Sequence, residues 1–246
     1  AKASRLRHSE CVRMTCPPSE EIIRQVRDRT GPQTILSFSR GKDAIATFLA
    51  IRPHFEEIVG YHLFLVPGLE FVEESLEYYR RKLGVRILNL PHPSLYRWLN
   101  AGLYQPPERA PVIAAADLPA FNYLDVHRIV CEEAGFDVDR AMVASGVRAA
   151  DSPQRRLQFS THGAISEKQR QYYPVHDWNK ARLIEEIIRS GIKLPIDYTL
   201  FGRSFDGLDI RFLWPLKQHR PRDFAKVCEW FPLCQMEIWE YERSLQ

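Results

Sequence analysis

Thr34 to Ala50 constrains this chain more than any other stretch. A short β-rich apolar run, Thr34-Ile35-Leu36-Ser37-Phe38, breaks at Ser39-Arg40-Gly41 and resumes from Asp43 with apolar residues in nearly continuous helical register. That succession reads as a strand, a tight loop and a helix. The first backbone N–H groups of a helix have no partner within it, and the aligned peptide dipoles put partial positive charge at the same end. A glycine-containing loop that opens a helix is therefore suited to a phosphate group, and Lys42 adds a full positive charge beside it. An isolated Ser-x-Gly would be an ordinary turn, so the rest of the string and the downstream segments have to carry the distinction.

The next segments repeat the unit. Glu57 to Val66 is a nearly unbroken apolar run ended by Pro67-Gly68, as expected of a strand covered on both faces in a parallel sheet. A helix is predicted from Glu70 to Leu83, stopped by Gly84, and the next strand over Val85 to Leu90. Strand, helix, strand, helix, strand in this order predicts right-handed crossovers and an α/β, doubly wound, mainly parallel sheet. Ahead of it, Ser19 is positioned to cap a helix through Arg29, which Gly31-Pro32 stops. Beyond it, Tyr104 to Pro111 reads as an exposed loop, Phe121 to Glu133 as a helix, Ala141 to Ala144 as a short strand, and Lys180 to Arg189 as a helix. Pro221 to Phe231 and Cys234 to Leu245 read as two amphipathic helices, whose aromatic residues are packing groups or a docking face for a protein partner. The organisation expected is a basic arm over residues 1–18, an α/β domain over 19–215 and a helical extension over 216–246.

Composition sets limits. With 45% hydrophobic and 26% charged residues the chain is an ordinary globular one, and its apolar stretches fall far short of a membrane span. It opens Ala1-Lys2-Ala3-Ser4-Arg5 without an apolar segment, so no secretory signal and a cytoplasmic location are expected. A net charge of +3 is too small to announce a nucleic-acid binder. Nucleic acid therefore stays a weakly supported partner, resting on Lys2, Arg5, Arg7, His8 and Arg13 in the arm and on Lys217, His219, Arg220 and Arg222 near the end. The five cysteines, Cys11, Cys16, Cys131, Cys228 and Cys234, show no Cys-x-x-Cys spacing. Reduced thiols are expected, and an iron–sulfur cluster is not.

Ser39-Arg40-Gly41-Lys42-Asp43 resembles the Ser-x-Gly-Lys-Asp-Ser loop of the PP-loop ATP pyrophosphatases, and looks closest to the branch that holds PAPS reductase and the ATP sulfurylase small subunit. It does not fit the Walker loop. Arg40 stands where a glycine is frequent, and Ala44 replaces the final Ser or Thr. Val66 to Ser75 resembles the family's Asp-Thr-Gly-x-x-Phe-x-Glu-Thr segment, with Gly68 and Glu74 matching and Val66 in place of Asp. Gly146-Val147-Arg148-Ala149-Ala150-Asp151-Ser152-Pro153-Gln154-Arg155 resembles its Gly-x-Arg-x-x-Asp-Ser-x-x-Arg segment, and Tyr173 to Trp178 its Tyr-Pro-Leu-x-x-Trp. The likeness runs from about Ile35 to Gly207.

This resemblance implies an adenine nucleotide, ATP or PAPS, held with Mg2+. It points to Lys42, Asp43, Arg148 and Arg155 as catalytic groups, and to Ser37, Ser39, Arg40, Gly41, Lys42, Asp43, Gly68, Gly146 and Arg156 as nucleotide-binding ones, with no metal-ligand set of the protein's own. The Glu-Cys-Gly-like nucleophile motif of the reductases does not occur. The expected function is cleavage of ATP between its α- and β-phosphates to activate sulfate, a nucleotide base or a DNA phosphate. The alternatives are release of sulfite from PAPS, for which Cys228 and Cys234 are the available thiols, and a nucleotide-binding module without turnover. Aromatic neighbours are expected to bury both thiols and keep them protonated.

Overall fold

The computed structural model describes residues 16–245. The basic arm up to residue 15, and Cys11 with it, lies outside the described residues. In chain order the elements are α1 Ser19–Thr30, β1 Gln33–Ser37, α2 Lys42–Ile51, β2 Glu57–Phe64, α3 Glu70–Leu83, β3 Ile87–Pro91, α4 Pro93–Asn100, α5 Ala110–Ala116 and α6 Tyr123–Ala134. They continue with β4 Val143–Ala144, α7 Pro153–His162, β5 Ile165–Ser166, β6 Gln171–Tyr172, α8 Lys180–Ser190, α9 Asp197–Phe201, α10 Ile210–His219, α11 Pro221–Trp230 and α12 Gln235–Ser244.

The six strands lie in the order β3-β2-β1-β4-β6-β5, all parallel to their neighbours except β5, which runs antiparallel to β6. The chain winds outward from β1 through α2, β2 and α3 to β3, then returns by α4 to α6 and places β4 on the other side of β1. That reversal makes β1 and β4 the point at which the crossovers diverge, where an open α/β sheet leaves a crevice at the carboxyl ends of its strands. Both faces of the sheet are covered. Ile35, Val59, Tyr61 and Val143 pack with Val126 and Val130 of α6 on one face, and the main core lies on the other around Leu36, Phe48, Phe71 and Leu183. β2 contributes to both cores, which is why its sequence is apolar throughout rather than alternating.

Several local expectations change in the folded chain. Ser19 is the first helical residue of α1 and Pro18 occupies the cap position. The Ser19 N–H donates at 3.0 Å to Asp177 and its hydroxyl donates to the same carboxylate, so a segment far along the chain supplies this cap. The stretch read as an exposed loop at Tyr104 to Pro111 carries a helical turn at Pro107–Arg109 and the start of α5, and it is only partly exposed, since Tyr104 packs against the core and Gln105, Pro106 and Arg109 are half-buried. Only Val143 and Ala144 of the strand expected from Ala141 enter the ladder.

The C-terminal region is helical. α10 runs without a break through residues 215 and 216, and Leu213, Leu216, Val227, Phe231, Cys234 and Ile238 are buried in the same core as Phe71 and Leu76. A further tie concerns α3, whose cap position, Leu69, offers no side-chain oxygen. Asp223 of α11 takes that role and accepts from the Glu70 N–H at 2.5 Å. Burial pushes the Asp223 carboxyl above its ordinary range.

Candidate functional site

β1 ends at Ser37, and three residues later the chain must turn sharply to start α2. Arg40 makes that turn with φ of +65°, in the left-handed region where a glycine is less strained than any residue with a Cβ. The glycine frequent at this place in similar loops has that physical basis. Gly41 sits at the α2 cap position, so close to the segment after α9 that a Cβ there would lie 2.7 Å from the Ser204 Oγ. Gly146, in the loop after β4, passes so near α2 that a Cβ would lie 2.8 Å from the Asp43 carbonyl carbon and oxygen. The two glycines thus bring three loops together at the carboxyl edge of the sheet.

The charged groups there are heavily engaged. Arg40 is 1% exposed and its guanidinium forks onto Asp197, itself 0% exposed, with both N···O distances 2.9 Å. Its side chain therefore holds the fold of the loop rather than facing a phosphate. Asp197 also accepts from the Phe205 N–H at 3.0 Å, and the Tyr198 hydroxyl accepts from the Lys42 N–H at 3.1 Å. Residues 197 to 206 accordingly form a strap across the loop. Lys42 Nζ lies 2.9 Å from Asp43. Burial works against the Lys42 ammonium, but the hydrogen bond and charge of Asp43 raise its pKa above the ordinary lysine value. Arg148 is buried and donates to Asp43 at 2.9 Å, to Asp151 at 2.8 Å and to the Trp178 carbonyl at 3.3 Å.

Two cavities meet at this loop. One, of about 400 Å³, lies over the ends of β1, β2 and β3, with Ser37, Ser39 and Arg40 on one side and Tyr61, His62 and His92 on the other. Its walls are uncharged apart from Arg40 and Asp206. Burial, reinforced by the Arg40 charge, lowers the His62 pKa to about 3, and burial raises Tyr61 to about 12, so both rings are neutral at pH 7. The other cavity, of about 990 Å³, lies across Lys42 and Asp43 against α8. Ser204 and Asp206 line both.

Of the residues read from the sequence, Ser37, Ser39, Arg40, Gly41, Lys42, Asp43, Gly146 and Arg148 come together here. Arg155 and Arg156 do not join them through any hydrogen bond or ion pair among the described residues, and both are exposed on the first turn of α7. Gly68 adopts φ of +73° in the turn before α3 and lines neither cavity, while Glu74 pairs with Arg220 at 2.9 Å. Val66 is buried in the wall of the smaller cavity. In the basic cluster near the end, Lys217 pairs with Glu242, Arg220 with Glu74 and Arg222 with Glu70.

Sequence reasoning gave no role to Asp197, Tyr198 or Ser204. For Asp197 the only signal was indirect, since a buried arginine needs a carboxylate but nothing in the sequence says which one. Cys234 is buried and its thiol is pushed up, as expected. Cys228 departs from expectation, because the Cys234 thiol 4.0 Å away and the Lys217 charge lower its pKa.

No family model and no curated protein matches this chain. Among solved structures, the NH3-dependent NAD synthetase from Campylobacter jejuni in complex with a nitrate ion is similar at a TM-score of 0.45 and 10% identity, over 90% of this chain and 93% of that one. A likeness of that size leaves ligand and reaction to the residues themselves. Those residues define an open α/β sheet with a helix N-terminus at its switch point, where Lys42 pairs with Asp43.

Proposed function

We propose that this protein is a PP-loop enzyme that binds ATP at Ser39 to Asp43 and cleaves it between the α- and β-phosphates to activate an acceptor. The observation that carries this reading is the placement of the α2 N-terminus and Lys42 at the β1/β4 switch point, beside a cavity of a size to take a nucleoside, its walls uncharged apart from Arg40 and Asp206. The acceptor atom bonds to the α-phosphorus, the bond from that phosphorus to the bridging oxygen breaks, and its electron pair leaves on pyrophosphate. Lys42 and the loop N–H groups stabilise the charge gathering on that leaving group.

Arg148 serves this chemistry by holding Asp43, with three of its five N–H donors going to Asp43, Asp151 and the Trp178 carbonyl. Asp43, the carboxylate of the loop, has one oxygen on Lys42 and the other on Arg148, so it offers no open ligand to Mg2+. An ion entering with the nucleotide would be held by phosphate oxygens and water, and would supply neutralisation of phosphate charge.

Titration calorimetry with Mg-ATP tests the assignment. Lys42→Ala is expected to weaken binding at least about tenfold, the loss of one charge-assisted contact, with the melting temperature little changed because the side chain is half-exposed. Parent-like affinity in Lys42→Ala would place the nucleotide elsewhere.

A further inference from the structure

The larger cavity differs in chemistry from the smaller one. α8 buries Leu183 and Ile187 in the core, yet Ile184 and Ile188, one helical turn apart, remain 41% and 74% exposed and face this cleft together with Leu194. Nothing among the described residues covers that apolar wall. Its acids are already neutralised, Asp43 by Lys42 and Arg148, and Asp206 by Arg203. Lys180 at one end of α8 and Lys193 beyond the other are exposed and carry no ion pair among the described residues. The cleft thus combines an uncovered hydrocarbon surface with unmatched positive charge, and it reaches the phosphate loop at Lys42.

We infer that this cleft binds the second substrate, and that this substrate is an amphipathic organic anion: an acidic group for the lysines joined to an apolar body that covers Ile184 and Ile188. The inference rests on the function proposed above for the word substrate, and on the cleft alone for the ligand class. Free sulfate would leave the hydrocarbon wall wet, and burying that wall is where most of the affinity of such a site arises. A bare nucleic-acid backbone would match the lysines but not the isoleucines. Ser204 and Asp206 border both cavities, so a group in this cleft lies directly across the strap from a nucleotide in the other.

The probe is 8-anilinonaphthalene-1-sulfonate, an anion fused to apolar rings, followed by its fluorescence on the full chain. Saturable binding of one molecule per chain is expected. Ile188→Glu, at a solvent-facing position that the core does not use, should weaken it at least about tenfold by placing a carboxylate against the rings, and Lys193→Glu about fivefold. Sodium sulfate should displace the probe no better than sodium chloride at equal ionic strength. Unchanged binding in Ile188→Glu, or displacement by sulfate specifically, would overturn the inference. Mg-ATP titration of the same proteins separates the two proposals. Ile188→Glu should bind Mg-ATP like the parent. A parent that binds the probe as described but not Mg-ATP would overturn the function above and leave the ligand class of the cleft standing.

Discussion

Replacing Asp197 by alanine tests whether the loop is held by the pair beneath it. Arg40 would keep its guanidinium in a site that is 1% exposed, with the carboxylate gone and its Nε already without a partner among the described residues. Breaking a buried ion pair from one side costs about 3–5 kcal/mol. Against a typical total of about 5–15 kcal/mol this is a large loss, and for a chain of this size it corresponds to a fall in Tm of about 6–20 °C. Arg40→Gly removes the other partner but also relieves a left-handed residue, worth roughly 1–2 kcal/mol, and Asp197 keeps the Phe205 N–H, so its cost should be smaller, about 1–4 kcal/mol. The double variant leaves neither charge stranded. It should lie within about 2 kcal/mol of the parent, giving a coupling energy of at least about 2 kcal/mol. Urea unfolding of the four proteins at pH 7, followed by tryptophan fluorescence, measures each term. Additive losses, or an Asp197→Ala loss under about 1 kcal/mol, would refute the idea that this pair acts as a unit.

Two other outcomes concern the same site. Burial holds His62 at about 3 against 6.5 when unfolded, so below pH 6.5 the unfolded chain takes up a proton that the folded chain refuses, and stability falls as pH drops from 6.5 toward 3. Its share of the slope approaches about 1.4 kcal/mol per pH unit, and a His62→Gln variant should show a flatter urea-midpoint profile between pH 6.5 and 4.5; an unchanged profile would remove His62 as the cause. Tyr198→Phe frees the Lys42 N–H that the phenol now occupies. It should lower the Tm of the ligand-free protein by about 2–4 °C, for a hydrogen bond worth about 1 kcal/mol, and tighten Mg-ATP about fivefold by calorimetry; weaker binding would instead make the phenol a phosphate contact.

The sheet was legible because its strands and helices alternate in period and end on glycine or proline. β2 shows it best, since a long apolar run without helical period has few places to go except a strand buried on both faces. The Ser39–Asp43 loop was legible for the same reason, as a break between two periods. Arg40 was visible as a departure from glycine, but its partner lies 157 residues away, and no local spacing links an arginine to a carboxylate at that distance. Tyr198 and Ser204 were hidden likewise. Arg155 and Arg156 show the reverse: a motif places them after a strand of the sheet, but the register of α7 turns their side chains to solvent. The exposed isoleucines of α8 could not be told from core by periodicity, because Leu183, Ile184, Ile187 and Ile188 make one continuous apolar stripe and only packing divides it.

The carboxylate of Asp223 on the α3 N-terminus has a consequence for how the protein is made. α3 begins just after Val66 and Leu69, which wall the smaller cavity, and its first turn is closed by a residue 153 positions further along the chain. Synthesis runs from the N-terminus, so the sheet and the Ser39–Asp43 loop emerge well before the group that finishes α3. During that interval the nascent chain holds the loop without a completed wall beside it. The wall of the smaller cavity is complete only once α11 has docked.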